Sequence, residues 1–192
     1  MSFFIDPVVY PGAPEDLSAR SIREKACYTL LERLKVPFER VDHDRADTIE
    51  DCKLVESVIG VHICKNLFLQ NRQKTAFYLL MMPGDKPFRT SEVSKLLGVA
   101  RLSFAEPETM ESLLHCAPGS ASVLGLMNDD KLRVQLLVDE DVFAAPFIRC
   151  HPCENTSTLK IRTADLREKI LPFLRHKPKI LHLEGRRIDA ET

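Results

Sequence analysis

A lysine and a histidine stand where each could take part in chemistry. Lys65 opens an apolar, strand-like run and is followed by Asn66, so its ammonium can bind a phosphate or carboxyl oxygen. The alternative is a strand-end lysine in water. His151 follows another apolar run and precedes Pro152, where an imidazole can hydrogen-bond a substrate or transfer a proton. The alternative there is a turn histidine with one backbone partner.

A glycine- and serine-rich bend, residues 117–129, lies between these two positions. Gly119 and Gly125 can adopt backbone conformations that other residues resist, including positive φ, and they let a ligand approach the main chain. A plain connecting loop is the alternative interpretation. The short polar side chains of the bend that can hydrogen-bond a small ligand are Ser120, Ser122 and Asn128.

The cysteines and histidines allow a metal-site interpretation. The run Cys150 to Cys153, which includes His151, looks like half of a zinc site, and His62 with Cys64 or His115 with Cys116 would supply the other half. The spacing differs from that of paired C-x-x-C motifs, and most cysteines fit apolar patterns. We therefore expect reduced thiols and no metal. The common nucleotide, dinucleotide, serine hydrolase and zinc hydrolase motifs are also missing from the sequence.

Composition places the chain among ordinary globular proteins. It has 192 residues, 44% of them apolar, and a net charge of −1. This length fits one domain with a sizeable core. A charge near zero argues against a broad surface that coats nucleic acid, but it allows local contact with the end of one. No apolar run is long enough to span a membrane and no secretory signal is evident, so we expect a cytoplasmic protein without membrane contact.

The periodicity of apolar residues predicts interleaved strands and helices. Residues 65–69 and 76–82 form a hairpin, and the second of these strands is apolar on both faces, as expected of a central strand. Because several strand pairs have hairpin-length links, the sequence predicts an α/β fold with a mixed, largely antiparallel sheet surrounded by helices. We expect an extended arm over residues 1–17, a domain over 18–176 and a tail over 177–192.

Local signals predict where two helices begin and end. Ser21 with Glu24 fits a capping box before the first helix. Thr48 and Asp51 open a second helix, which Gly60 ends.

Local patterns also predict the structure of other segments. Met110 faces inward on a helix that starts at Pro107. The acidic run Asp139 to Asp141 is expected to be a solvated turn. Pro172 should kink or end the last helix, and residues 180–183 are expected to form an edge strand.

Five motifs occur in a fixed order. They are Lys65 to Leu69, Tyr78 to Pro83, Leu102 to Ala105, the bend, and His151-Pro152 with Asn155-Thr156. Together they resemble the YbaK-type, prolyl-tRNA synthetase-associated editing domains, and within them the free-standing deacylases of alanine mischarged on proline tRNA. The resemblance extends from about Cys27 to Leu174.

This resemblance implies a single YbaK-like α/β domain that hydrolyses the ester between a wrong amino acid and the terminal ribose of tRNA. It implies no metal or organic cofactor. Lys65 would be the essential lysine, which contacts the tRNA end or the substrate carbonyl, and Asn66 its motif neighbour. Gly119 and Ser120 would line the amino-acid pocket, with His151 beside it.

The expected partner is the acceptor end of an aminoacyl-tRNA, with prolyl-tRNA synthetase as a second candidate. Basic side chains that could contact the acceptor stem, or simply be surface charges, are Lys53, Arg72, Lys74, Lys86, Arg89 and Arg149.

One position departs from the family pattern. These domains usually have a proline four positions after the glycine of the bend, and this chain has Val123 there. Since a proline would stiffen the pocket wall, its loss affects the expected pocket shape and substrate. Two alternatives therefore stay open: a non-catalytic module of the same fold that binds tRNA or a synthetase, and a deacylase for cysteine- or serine-charged tRNA.

Overall fold

The structure is a computed structural model that describes residues 3–117 and 119–185. Pro118 of the bend and the outer ends of the predicted arm and tail lie outside the described residues. The strands are β1 (Tyr10–Pro11), β2 (Phe38–Asp42), β3 (Cys64–Gln70), β4 (Phe77–Pro83), β5 (Ser103–Phe104), β6 (Val134–Asp139), β7 (Phe147–Cys150), β8 (Ser157–Arg162) and β9 (Lys179–Leu181). The α-helices are α1 (Ile22–Arg33), α2 (Ile49–Ile59), α3 (Thr90–Leu97), α4 (Pro107–Leu114), α5 (Glu140–Ala144), α6 (Thr163–Asp165) and α7 (Leu171–Leu174).

The described strands form two sheets. One has the order β1-β2-β8-β7 and is antiparallel throughout. The other has the order β5-β3-β4-β6-β9, in which β6 runs parallel to β4 and β9 runs parallel to β6. The predicted α/β class with mostly antiparallel pairing is confirmed. The division of the strands between two sheets was not predicted.

The two sheets share one main core, and β4 lies at its centre. Leu79 and Met81 of β4 pack in this core with Ile148 of β7 and Leu159 of β8. The alternate residues of β4, with Leu80 among them, face a second core beneath α3. Because side chains alternate along a strand, a strand covered on both sides must be apolar throughout. The predicted central strand is confirmed.

Local sequence signals set the limits of the first two helices. Ser21 and Glu24 form the predicted capping box of α1. Thr48 and Asp51 do the same for α2, which ends at Gly60 in the left-handed conformation with φ 69°. These predictions needed only neighbouring residues, and they are confirmed.

The acidic run after β6 was expected to be a solvated turn, and that expectation is wrong. Asp139 is fully buried, its Oδ2 accepts a hydrogen bond of 2.8 Å from Lys86 Nζ, and its Oδ1 accepts from the Asp141 backbone N–H. It therefore caps the short helix α5. No local pattern indicates this burial, because Lys86 is distant from Asp139 along the chain.

The last helical segment accommodates Pro172 without ending there. A π-helical turn (Leu166–Ile170) joins α6 to α7, and Pro172 lies in the first turn of α7. A proline has no N–H to donate to the preceding helical turn, and here that preceding turn has π-helical rather than α-helical hydrogen bonds. We had expected a kink or an end at Pro172, and the described segment continues to Leu174.

Segments of the predicted arm and tail pair with the two sheets. Tyr10 and Pro11 pair with β2, and β9 lies beside β6. The predicted edge strand at Ile180 is thereby confirmed. The domain boundaries at residues 17 and 177 stay a prediction.

Asp129 anchors the end of the bend. Its side chain is buried, and its two carboxylate oxygens accept hydrogen bonds from the backbone N–H groups of Arg133 (3.0 Å) and Val134 (2.7 Å). Both donors lie where the chain enters β6. The carboxylate therefore joins the bend to a strand of the larger sheet.

We expect Asp129→Ala to lower the free energy of unfolding by about 2–3 kcal/mol, because it removes the acceptor of two backbone donors. Asp130→Ala is the matched control: its side chain is exposed, and we expect a change within about 0.5 kcal/mol. Urea denaturation of both variants measures the difference. Equal losses of stability would contradict this role of Asp129.

Candidate active site

A cleft of about 390 Å³ lies where the two sheets meet. It is bounded by β3, the end of β7, the start of α4, the bend and one residue of α2. The residues of this cleft are Cys52, Ile63, Cys64, Lys65, Asn66, Leu67, Phe68, Phe104, Ala105, Pro107, Met110, Gly119, Ala121, Arg149, Cys150 and His151. Four residues that the sequence analysis selected, Lys65, Asn66, Gly119 and His151, are among them.

One wall of the cleft is a free strand edge. β3 pairs with β4 along its whole length, but β5 pairs with β3 only at Leu69 and Gln70. Among the described strands, none covers the other edge of β3 from Cys64 to Leu67. Alternate main-chain N–H and C=O groups of this half-strand are therefore available to a ligand.

Lys65 and Asn66 project from this half-strand. The Lys65 ammonium donates a hydrogen bond of 3.1 Å to the Lys86 carbonyl oxygen, which leaves further donors on a flexible side chain. Asn66 places its Oδ1 in a buried position without a hydrogen-bond partner among the described residues. A buried acceptor without a donor is unfavourable, so this oxygen is suited to an N–H or O–H group of a bound ligand.

The main chain at Gly119 forms another part of the cleft. Gly119 has φ +83°, which favours glycine. A Cβ atom there would lie 3.3 Å from Arg45 Nη2 and 3.5 Å from Asn155 Nδ2. Both its conformation and its surroundings therefore favour glycine. Gly125 has a different role: a Cβ there would lie 2.8 Å from the Leu114 carbonyl oxygen, so this glycine permits close packing of the chain on itself.

The serine hydroxyls of the bend hold it in place. Ser120 and Ser122 are fully buried. The Ser120 hydroxyl donates to the Cys153 carbonyl at 3.0 Å, and the Ser122 hydroxyl donates to the His151 carbonyl at 2.6 Å. Neither side chain lines the cleft. These hydroxyls connect the Gly119 segment to the His151 turn.

Asn128 and Val123 also lie away from the cleft lining. The Asn128 amide donates to the carbonyl oxygens of Leu114 and Gly125. Val123 is fully buried in the main core, at the first position of a 3-10 helix (Val123–Asn128) that the sequence analysis did not predict. The structure thus brings Lys65, Asn66, Gly119 and His151 together, and it places Ser120, Ser122, Val123 and Asn128 behind them.

His151 is held in one tautomer. Its Nδ1 lies 2.8 Å from the Ser157 carbonyl oxygen, which can only accept, so Nδ1 carries the proton and Nε2 is an acceptor. Burial lowers the pKa of His151 to about 4. The charges of His43 and Arg149 also lower it, whereas the hydrogen bond to the Ser157 carbonyl raises it. The ring is therefore neutral near pH 7. His43, whose ring centroid lies 6.0 Å away, also has a pKa lowered by burial.

Two cysteines of the cleft, Cys64 and Cys150, are thiols rather than thiolates. Burial raises the pKa of both Cys64 and Cys150 to about 12. A thiol is a weak nucleophile, so these residues are unsuited to covalent catalysis at neutral pH. Within residues 3–117 and 119–185, no group of three or more His, Cys, Asp or Glu side chains is arranged to hold a metal ion. All six cysteines are free.

Comparison with known proteins identifies the family. The model of the aminoacyl-tRNA editing domain matches residues 43–169. The chain belongs to this family. Two relatives support the assignment. The prolyl-tRNA editing protein ProX of Acetoanaerobium sticklandii is 27% identical over 148 residues, 77% of this chain and 90% of that protein. The prolyl-tRNA synthetase associated domain-containing protein 1 of Danio rerio is 29% identical over 174 residues, 90% of each chain.

The fold of the editing domain also agrees with a solved structure. A protein assigned as a trans-editing enzyme for prolyl tRNA synthetase superposes with a TM-score of 0.64 at 16% identity, covering 86% of this chain and 99% of the other. At this identity the likeness concerns the fold.

No described helix has the length and apolar character to cross a membrane.

The sequence analysis missed several residues of the editing-domain cleft. The sequence offers Arg149 as a contact to the acceptor stem or as a surface charge, but it is buried and lines the cleft. Phe104 belongs to the motif Leu102 to Ala105, for which the sequence indicates no function. Its exposed ring lies at the cleft. Met110 was assigned to the core. Their positions follow from the meeting of distant segments, and no local pattern in the sequence marks them.

We expect the His151 imidazole to stay neutral well below pH 6.5, because burial disfavours its protonated form. The pKa of this ring is lower in the folded protein than in the unfolded chain. Between about pH 6.5 and pH 4 the unfolded chain therefore binds more protons than the folded protein does. The free energy of unfolding should therefore decrease over this interval, and part of that decrease should disappear in His151→Gln. Ring-nitrogen NMR shifts and pH-dependent urea denaturation measure the two effects. A His151 pKa near 6.5 would contradict the prediction.

Proposed function

We propose that this protein is a trans-acting aminoacyl-tRNA deacylase that hydrolyses the ester of alanine mischarged on tRNA(Pro). The observation that carries the proposal is the shared cleft of Lys65, Asn66, Gly119 and His151, which come from separate segments of the editing domain. The names of the relatives from A. sticklandii and D. rerio support a connection with prolyl-tRNA.

The reaction needs no strong side-chain nucleophile, because an aminoacyl ester is already activated. Water attacks the ester carbonyl, the bond to the ribose oxygen breaks, and that oxygen receives the proton that the water loses, so that the amino acid leaves as a free carboxylate. The neighbouring ribose hydroxyl can position the attacking water. The cleft contributes positioning and donors for the developing oxyanion. The Lys65 ammonium and the main chain near Gly119 are suited to this role, with the free edge of β3 beside them.

His151 acts in this proposal as an oriented acceptor. A pKa of about 4 makes the imidazole a weak base, so its main contribution is a directed lone pair on Nε2. This lone pair can accept from the attacking water, from a ribose hydroxyl or from the substrate ammonium. A neutral ring also avoids repelling that ammonium, which an imidazolium would do.

In this proposal the alanine side chain lies against Ala105, Met110 and Ala121 of the cleft lining. These side chains are apolar, and two of them are small. A synthetase pocket for proline cannot strongly exclude the smaller alanine, so a second site that admits only small residues is needed. The remaining volume of the cleft accommodates the terminal nucleoside.

The proposed partner is the acceptor end of the tRNA, and an association with prolyl-tRNA synthetase is a further part of the proposal. Phe104 supports nucleotide binding. Its ring is 58% exposed at the cleft and packs against Phe88, with ring centroids 5.5 Å apart, so it offers a face for base stacking. We place this activity in the cytoplasm, in keeping with the six free cysteines.

We expect Lys65→Ala to lower the deacylation rate of Ala-tRNA(Pro) by about 100-fold or more, the order found when one oxyanion donor is removed. Lys131→Ala is the matched control, since Lys131 is an exposed lysine outside the cleft. The assay measures release of alanine, serine, cysteine and proline from tRNA(Pro). If the wild-type protein leaves every one of these esters at the uncatalysed rate, the proposed function is wrong.

We expect Gly119→Ala to reduce turnover about 10- to 100-fold, because a small displacement of the bend misplaces the substrate. Gly98→Ala is a matched control: Gly98 also has a positive φ of 68°, but a Cβ there meets no atom within 4 Å. Both variants should lose about 1 kcal/mol of stability from backbone strain, and only Gly119→Ala should lose activity. Equal turnover in the two variants would contradict the role of Gly119.

A further inference from the structure

Arg149 is a buried cation at the cleft. It belongs to β7, between the core residues Ile148 and Cys150, and it is only 4% exposed. Its Nη1 donates a hydrogen bond of 3.1 Å to the Cys52 carbonyl oxygen of α2. A guanidinium has five N–H donors, and this is the one hydrogen bond it makes among the described residues. The remaining donors are available to a ligand.

No carboxylate of the described residues forms a salt bridge with Arg149. Glu56 of α2 attracts the guanidinium electrostatically, but its carboxylate accepts hydrogen bonds from the Ile63 backbone N–H and from His62. Burial lowers the pKa of Arg149, which reflects the unfavourable environment of this charge. Buried charges in proteins are usually paired, so an unpaired guanidinium beside a cleft indicates a site for an anion.

The cleft lining is positively charged. It includes two basic side chains, Lys65 and Arg149, and no aspartate or glutamate, although the whole chain has a net charge of −1. The positive charge is therefore local. Arginine matches the geometry of phosphate oxygens through two parallel N–H bonds, and its charge is kept even when it is buried.

The proposed substrate supplies one fixed anion within reach of the ester. An amino acid esterified to the terminal ribose carries an ammonium and no free carboxylate. The closest negative charge is the phosphodiester on the 5′ side of the terminal adenosine. A cleft of about 390 Å³ is within the range of pockets that enclose small ligands, and a terminal aminoacyl nucleotide is a ligand of that size.

We propose that Arg149 binds the phosphodiester on the 5′ side of the terminal adenosine, and thereby positions the ester between Lys65 and His151. This inference rests on the proposed function, and it adds an anion subsite to it. Arg149 is a binding residue in this arrangement. It sets the depth to which the terminal nucleotide enters the cleft.

Two small substrates that differ only in the phosphate test this subsite. One is the alanyl ester of adenosine, and the other is the same ester with a 5′-methylphosphate diester. We expect the wild-type protein to hydrolyse the phosphorylated ester with a kcat/KM about tenfold higher or more, as expected of a hydrogen bond to a charged group. Arg149→Met should abolish this preference, so that the variant hydrolyses the two esters with the same kcat/KM.

Two further variants separate binding from folding. Arg149→Lys keeps a positive charge and should retain part of the phosphate preference. It tests the inference even if Arg149→Met does not fold. Arg162→Met changes an exposed arginine of β8 and should keep the full preference. If the Arg149 variants lose activity equally on both substrates, the role of Arg149 is to hold α2 in place, and the inference is overturned. An unchanged preference in Arg149→Met would also overturn it.

A binding measurement distinguishes failure of this inference from failure of the proposed function. Calorimetry compares adenosine with adenosine 5′-methylphosphate as ligands of the wild-type protein and of Arg149→Met. Tighter binding of the phosphorylated nucleoside that disappears in the variant supports the subsite even if no ester is hydrolysed. Equal affinity of the wild-type protein for both nucleosides overturns the subsite, whether or not the protein is a deacylase.

Discussion

Two hydrogen bonds from buried serines hold the candidate site together. The Ser120 and Ser122 hydroxyls donate to the carbonyl oxygens of Cys153 and His151. They join the bend to the turn after β7, two segments that lie far apart in the sequence. Ser120, Ser122 and Cys153 are buried, so loss of the Ser120 hydroxyl would leave the Cys153 carbonyl oxygen as a buried acceptor with one donor fewer, which is unfavourable. The positions of Gly119 and His151 relative to each other depend on this pair of bonds.

The electrostatics of the site follow from burial and from the absence of acidic residues in the cleft lining. Burial keeps His151 neutral and keeps Cys64 and Cys150 as thiols. The fixed positive charges are left to Lys65 and Arg149. Such a site is poorly suited to covalent catalysis and well suited to binding an anionic, already activated ester. The net charge of −1 for the whole chain is consistent with contact limited to the end of a nucleic acid.

The sequence predicted the elements whose signals are local. These elements are the capping box at Ser21, the helix start at Thr48, the helix stop at Gly60 and the strand β4, which is buried on both faces. Each depends on neighbouring residues or on the pattern along one strand. It did not predict α5, since Asp139 is buried against Lys86 from a distant loop. Nor did it indicate the direction of the serine hydroxyls. A serine next to a glycine looks the same in the sequence whether its hydroxyl binds a ligand or a carbonyl oxygen of the protein.

Val123 shows that the sequence alone is also a limited guide to the substrate. The sequence suggested that a missing proline would alter the pocket wall, but Val123 begins a 3-10 helix with its side chain in the core. Proline is favoured at the first position of a helix because the N–H there needs no helical partner. Replacing it with valine therefore affects chiefly the stiffness of the chain entering the 3-10 helix. In the proposed function the substrate side chain lies against Ala105, Met110 and Ala121, which line the cleft, whereas Val123 does not line it.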